Sequence, residues 1–164
     1  IHGGSGFIME YKCQRLYRDA RIFSIYEGTT QLQVVAAVRY ITNGTYLSIM
    51  KEMLESEVCD CMKDLKARVA SLITQYEEAL EKVKASECQD TIDFLARRLY
   101  NITAGIIESL LLIEDASKAP ELFKKSANVF VRMVEEEIIG SVAYIKAFEN
   151  KSLEYFKTAN ETNL

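Results

Sequence analysis

The chain has 164 residues with a single proline, and 49% of its residues are hydrophobic and 27% charged, which is typical of an ordinary globular domain. Its net charge of −4 argues against nucleic acid as the main partner. No apolar run approaches the ~18 residues of a membrane span, so we expect neither an integral membrane segment nor a signal peptide.

The chain has four cysteines, Cys13, Cys59, Cys61 and Cys88. They are too few and too irregularly spaced for a disulfide framework. Cys59 and Cys61 are too close for a normal structural bridge, and no Cys-x-x-Cys pair or nearby histidine provides a metal site. Free thiols are typical of a reducing compartment, so we expect a cytoplasmic protein without a structural metal.

The N-terminal part predicts two short helices separated by a turn. The first is expected from Tyr11 to about Ala20, and the second from a cap at Thr29 or Thr30 to about Thr42. The dipeptide Asn43-Gly44 then stops the second helix, because glycine readily adopts the left-handed conformation found just after a helix end.

The character of the sequence changes after Gly44, so we place a domain boundary between residues 1–44 and 45–164. A helix is expected from about Thr45 to Ser56, and three apolar stripes with helical spacing follow it. The first stripe is Met62, Leu65, Val69, Leu72, Tyr76, Ala79 and Val83. The second is Ile92, Leu95, Leu99, Ile102, Ile106 and Leu110. The third is Phe123, Ala127, Phe130, Val134, Ile138, Val142 and Ile145.

Helix-start signals separate these stripes, with Asp90 as the expected cap of the second helix and Pro120 as the first residue of the third. A last helical turn is expected from Leu153 to Phe156. The connections are short, and no stretch alternates with period two, so we predict an all-α fold with an up-down helical bundle.

Three motifs near the N-terminus have a defined order and spacing. They are IHGGSGFIMEY at residues 1–11, RLYRDARI at 15–22 and IYEGTTQLQ at 25–33. Alone, the glycine cluster is typical of a loop, and an isolated acid before a helix is usually solvated. We expect Arg18 and Asp19 to form an ion pair that fixes the first helix.

Together the three motifs resemble the last part of the acyl-CoA dehydrogenase flavoproteins, over about residues 1–44. The resemblance implies that this chain is the C-terminal part of a longer protein, as its start at Ile1 also indicates. Residues 1–44 would then end the dehydrogenase C-terminal helical domain. Residues 45–164 resemble the helical extension that larger members append after it.

The resemblance implies that Glu27 is the catalytic base. At the matching position, family members remove the α-proton of an acyl-CoA thioester while a β-hydride passes to N5 of FAD, giving a trans-2-enoyl-CoA. The glutamate amide and a flavin ribityl hydroxyl hold the thioester carbonyl. Tyr26 matches a residue lining the acyl tunnel, and Gly28 would turn the chain so that the carboxylate points into that tunnel.

The same resemblance implies FAD contacts. Thr29 and Gln31 match positions that touch the FAD of the same subunit, and Gly3 and Gly4 match positions that pack on the FAD of a neighbouring subunit. The implied partners are an acyl-CoA substrate, an electron-transferring flavoprotein or similar acceptor, and further copies in a homo-oligomer. The implied role is fatty acid β-oxidation in lipid metabolism, and we expect the isolated chain to be inactive.

Another interpretation stays open from the residues alone. The parent protein could be catalytically silent, with residues 45–164 acting chiefly as a helical module for assembly and oligomerisation. Three roles are open for this region: subunit packing, membrane-surface docking, or capping of the substrate entrance. Packing is favoured because the outer helix faces carry acids, whereas a membrane-docking helix would more often carry lysine and arginine there. The acyl chain length that the parent protein accepts is not encoded in these residues.

Overall fold

Residues 2–155 are described by the structure, a computed structural model, and they are helical without strands. The chain divides into two compact units, residues 1–36 and 37–164. The division falls inside one helix rather than at residue 44, so the expected domain boundary after Gly44 stays a prediction.

The first unit consists of short elements with little core of its own. A 3-10 turn at Gly3–Gly6 precedes helix α1 (Lys12–Arg21), and a second 3-10 turn at Ile22–Ser24 leads towards helix α2 (Thr30–Thr42). Helix α1 buries none of its residues. Its ion pair joins Arg15 to Asp19 at 3.5 Å across one helical turn, so the expected pairing of Asp19 with Arg18 is wrong.

The second unit contains the end of α2 and four further helices. These are α3 (Thr45–Glu55), α4 (Lys63–Ala85), α5 (Gln89–Lys118) and α6 (Pro120–Ala147), and a last helical turn covers residues 152–155. Gly44 has φ +87°, which is the left-handed conformation predicted for the stop between α2 and α3. Phe156, the expected end of the last turn, lies outside the described residues.

Cross-helix contacts establish the up-down order of the bundle. Helices α4 and α5 are antiparallel, because Cys59 N–H donates to Ser117 Oγ at 2.6 Å before α4, and Tyr76 bonds Thr103 at 3.0 Å halfway along it. Helices α4 and α6 are parallel, because Arg68 pairs with Glu135 at 3.2 Å and Glu78, further along α4, pairs with Lys146 at 2.6 Å. The prediction of an all-α up-down bundle is confirmed.

The predicted stripes form most of the core, with corrections at individual positions. Leu65, Val69, Leu72 and their successors on α4 are buried, as are the α5 and α6 residues that face them. Phe123 is 37% exposed, so its expected place in the core is wrong. Helix α5 begins at Gln89 after Cys88, so Asp90 lies in the first turn and is not the cap.

All four cysteines are free thiols, as predicted.

Close packing of α5 on α6 occurs at Gly105. A Cβ atom built there would lie 2.7 Å from Cγ1 of Val134, and Ile138 is the next neighbour. Glycine in a helix interior costs about 1 kcal/mol relative to alanine. The absent side chain therefore lets the two backbones approach more closely than any other residue would.

We expect Gly105→Val to lower the free energy of unfolding by about 1–3 kcal/mol, because the added carbons overpack the contact with Val134. Ala67→Val is the matched control, since Ala67 is an exposed residue of α4 and the change should cost less than about 0.7 kcal/mol in helix propensity. Urea unfolding followed by circular dichroism measures both. Equal losses in the two variants would contradict the close-approach role of Gly105.

Tyr76 places a hydroxyl in the centre of the core. Its side chain is fully buried, and its hydroxyl lies 3.0 Å from Thr103 Oγ1. The Thr103 hydroxyl donates to the carbonyl of Leu99 at 2.8 Å, so Tyr76 is the donor to Thr103. Burial disfavours the phenolate and raises the pKa of Tyr76.

This raised pKa predicts a loss of stability at high pH. The unfolded tyrosine ionises near pH 10, whereas the folded one stays protonated, so the unfolded state is favoured as pH rises above about 10. We expect Tyr76→Phe to be less stable than the parent chain by about 1 kcal/mol at neutral pH. That difference should shrink above about pH 10, and urea unfolding across this range measures it. A difference that is constant with pH would contradict the assignment.

Candidate functional site

The candidate site is the turn that leads into α2. Three predicted site residues, Tyr26, Glu27 and Gly28, form the turn, and Thr29 precedes the first helical residue. Leu32 N–H lies 3.4 Å from Thr29 Oγ1, which places that hydroxyl at the helix N-terminus as a weak cap.

Glu27 has an unusual backbone. Its φ is +53°, in the left-handed region, and Gly28 follows with φ +108°. For a residue with a side chain the left-handed conformation costs about 1–2 kcal/mol, so residues held in it frequently lie at functional sites. The two consecutive positive φ values turn the chain sharply just before α2.

Gln33 holds this turn in place. Its side-chain amide donates to the carbonyl oxygen of Glu27 at 2.8 Å, while its own backbone N–H donates to the carbonyl of Thr29 at 3.2 Å. Sequence reasoning assigned a role to Gln31 and missed Gln33. The spacing only permits this contact, because a second glutamine two positions on lies on a different side of the helix and can reach back over its first turn.

The N–H of Glu27 is uncommitted. Ile25 and Tyr26 donate their backbone N–H groups to the carbonyl of Ile22, at 3.0 and 2.8 Å. Within residues 2–155 no hydrogen bond is formed by the N–H of Glu27. The turn therefore presents a free backbone N–H and a carboxylate, both from Glu27. The carbonyl oxygen of Glu27 already accepts a hydrogen bond from Gln33.

The sequence neighbours of Glu27 do not enclose its carboxylate in an apolar environment. Glu27 is exposed, and the side chains of Ile25 and Tyr26 are 52% and 62% exposed. Many other large apolar side chains of the first unit are also exposed. They include Phe7, Met9, Leu16, Tyr17, Phe23 and Leu32. Such an extended apolar surface is typical of a segment that packs against further protein.

The glycine turn at residues 3–6 forms a separate part of the candidate site. Gly3 has φ +53°, and a Cβ atom at either Gly3 or Gly4 would meet nothing within 4 Å. Its backbone is therefore accessible to a ligand. No hydrogen bond links this turn to the Glu27 turn in the part of the chain that the structure describes. The structure thus groups Tyr26 to Gln31 together and leaves Gly3 and Gly4 apart.

The described residues contain neither a cluster of metal ligands nor a membrane-spanning helix. No group of three or more histidine, cysteine, aspartate or glutamate side chains in residues 2–155 is arranged to hold a metal ion. None of the helices in that range is long and apolar enough to cross a membrane. His2, which directly precedes the glycine turn, and Arg39 are both exposed.

Comparison with known families matches residues 1–153 in two parts. Residues 42–153 match the family described as acyl-CoA dehydrogenase C terminal, and residues 1–41 match the family described as acyl-CoA dehydrogenase, C-terminal domain. A crystal structure of an acyl-CoA dehydrogenase family protein from Porphyromonas gingivalis is similar with a TM-score of 0.65 at 31% identity, covering 70% of this chain and 98% of that one. The chain therefore belongs to the acyl-CoA dehydrogenase family.

Curated relatives match over shorter stretches. The caffeyl-CoA reductase–Etf complex subunit CarC of Acetobacterium woodii is 67% identical over 33 residues, which are 20% of this chain and 9% of that protein. An acyl-CoA dehydrogenase of Bacillus subtilis is 42% identical over 45 residues, 27% of this chain and 12% of that protein. The 3-methylmercaptopropionyl-CoA dehydrogenase of Ruegeria pomeroyi is 64% identical over 33 residues, 20% of this chain and 6% of that protein. The chain thus matches 12% or less of the length of these relatives.

If Gln33 positions Glu27, removing its side chain should loosen the turn. We expect Gln33→Ala to speed amide hydrogen exchange at Ile25 and Tyr26, whose N–H groups are hydrogen-bonded in the turn, by about fivefold, because a hydrogen bond of about 1 kcal/mol is lost. Gln31→Ala is the matched control, as Gln31 forms no hydrogen bond to the turn among residues 2–155. Mass spectrometry of exchanged peptides measures both. Similar exchange in the two variants would remove Gln33 from this role.

Proposed function

We propose that this chain is the C-terminal part of a FAD-dependent acyl-CoA dehydrogenase in which Glu27 moves the α-proton of an acyl-CoA thioester. The observation that carries the proposal is the backbone of Glu27, which is held in a left-handed turn with its N–H free. One residue then offers both groups that α-proton removal requires. They are a carboxylate to take the proton and an N–H to stabilise the developing negative charge on the thioester oxygen.

In the proposed mechanism the Glu27 carboxylate accepts the α-proton, which is acidified because the carbanion delocalises onto the thioester carbonyl. The free N–H of Glu27 donates to that carbonyl oxygen and lowers the energy of its enolate-like form. Tyr26 would line the acyl chain and Gly28 would permit the turn. Bound FAD supplies the acceptor for the β-hydrogen, which leaves as a hydride, and the product is a trans-2-enoyl-CoA.

The residues proposed to contact FAD suit a flavin dinucleotide. The N-terminus of α2 presents backbone N–H groups and a favourable dipole to an anion, with Thr29 and Gln31 exposed beside it. The open backbone at Gly3 and Gly4 suits close packing on the dinucleotide of a neighbouring subunit. That second contact implies a homo-oligomer in the proposed enzyme.

The direction of the reaction depends on the electron partner. Relatives are named both dehydrogenases and reductases, and one name includes an Etf complex. We propose an electron-transferring flavoprotein or a similar acceptor as the partner of the whole protein. In the reductive direction a protonated Glu27 would return the proton to the α-carbon, as microscopic reversibility requires. The isolated chain should be inactive, because its exposed Glu27 lacks an apolar enclosure.

The test uses the flavin-loaded dehydrogenase that contains this segment. Under anaerobic conditions, titration with acyl-CoAs of several chain lengths should bleach the visible absorbance of the oxidised flavin. Glu27→Gln should bind the same ligands but bleach about 10²- to 10⁴-fold more slowly, as expected for loss of a general base. Glu10→Gln is the matched control, because Glu10 is an exposed glutamate outside the turn.

The outcomes separate the interpretations. Bleaching of Glu27→Gln at the parent rate would place the base elsewhere. Absence of bleaching in the parent enzyme with every chain length would favour a protein whose helical bundle serves assembly alone.

A further inference from the structure

The outer face of α6 carries an apolar stripe that the bundle does not use. Leu122, Val129 and Met133 are 68%, 59% and 59% exposed, and exposed Gly140 lies seven residues beyond Met133. The steps of seven, four and seven residues keep all four positions on one face. The opposite face of the helix holds the buried positions Ala127, Val131, Ile138, Val142 and Ile145.

Gly140 has no explanation within the bundle. It lies inside a helix of 28 residues, and a Cβ atom there would meet nothing within 4 Å. Glycine at such a position costs about 1 kcal/mol relative to alanine. Gly105 differs, because its missing side chain admits a neighbouring helix. By the same logic, Gly140 leaves a depression on the outer face that suits close approach from outside.

The stripe has a shape that fits an identical stripe running in the opposite direction. An antiparallel copy of α6, related by a two-fold axis level with Val131, sets Leu122 against the depression at Gly140. The same register sets Val129 against Met133. Because the contact is two-fold, each of these pairings occurs twice, as in the isologous interfaces of symmetric dimers.

The charges beside the stripe follow the same symmetry. Lys125 and Glu136 lie on one edge of the stripe, and the two-fold axis brings Lys125 of one copy to within one residue, or ~1.5 Å along the helix axis, of the level of Glu136 of the other. Within residues 2–155 neither side chain forms an ion pair. Arg132 meets its own copy near the axis, and Glu136, one turn further along the same helix, offsets that repulsion.

We propose that the outer face of α6 is a self-association surface, on which a second copy of this chain docks through an antiparallel α6–α6 contact. The pairs Leu122–Gly140 and Val129–Met133 form its apolar centre, and two Lys125–Glu136 pairs fix its direction and register. A single pair of helices buries less than the ~800 Å² per partner of a standard interface. The dimer is therefore concentration-dependent. This proposal does not depend on the role of Glu27.

Charge reversal tests the register. Sedimentation equilibrium of the 164-residue chain over a wide concentration range should give a monomer–dimer constant for the parent. Lys125→Glu and Glu136→Lys should each weaken it by at least about tenfold, because like charges then face each other twice. The double variant should restore it to within about threefold, since both pairs re-form with opposite polarity.

Two further variants keep the proposal falsifiable. Glu52→Lys makes the same charge change at an exposed glutamate of α3 that forms no ion pair among the described residues, and it should leave the constant unchanged. Gly140→Leu fills the depression and should weaken dimerisation at least about tenfold while retaining helical circular dichroism. A monomeric parent at all concentrations, or a double variant as weak as the single ones, would overturn the proposal. So would a Glu52→Lys effect equal to that of Glu136→Lys.

Discussion

Burial of α5 is the constraint on which the bundle depends. This helix contributes twelve buried residues, more than any other, and it packs against α3, α4 and α6. A 30-residue helix surrounded in this way needs apolar side chains around much of its circumference, and small ones where a neighbour comes closest. Gly105 provides the close approach to α6, while Thr103 and Ser109 are tolerated in the core because each bonds a carbonyl one turn back.

Much of this bundle could be predicted from the sequence because its stripes are long and regular. Starts at Thr45 and Pro120 and the stop at Gly44 follow from local rules that do not need tertiary structure. Phe123 could not be placed, because periodicity identifies the face of a helix but not whether a neighbour extends far enough to cover it. Asp19 was predicted to pair within its helix, yet the geometry of one turn selects Arg15 over the adjacent Arg18.

Less of the candidate site than of the bundle could be predicted from the sequence. Its position followed from motif order, and Gly28 indicated a turn. The left-handed backbone of Glu27 could not be read from the sequence, because glutamate is uncommon in that region. The bond from Gln33 to the Glu27 carbonyl spans six positions and depends on a helix beginning between the two residues. Neither a propensity nor a spacing rule specifies such a contact.

The two units therefore differ in how far each depends on other protein surface. The bundle closes its core with its own helices, so its fold is specified by residues 37–155. The Glu27 turn contains its own geometry, because Gly28, Thr29 and Gln33 fix the backbone locally. The segment does not enclose the Glu27 turn, because Ile25, Tyr26 and the apolar side chains of α1 remain exposed. A short segment can thus set the direction of a carboxylate and an N–H, whereas the low-dielectric enclosure that makes them effective has to come from other protein surface.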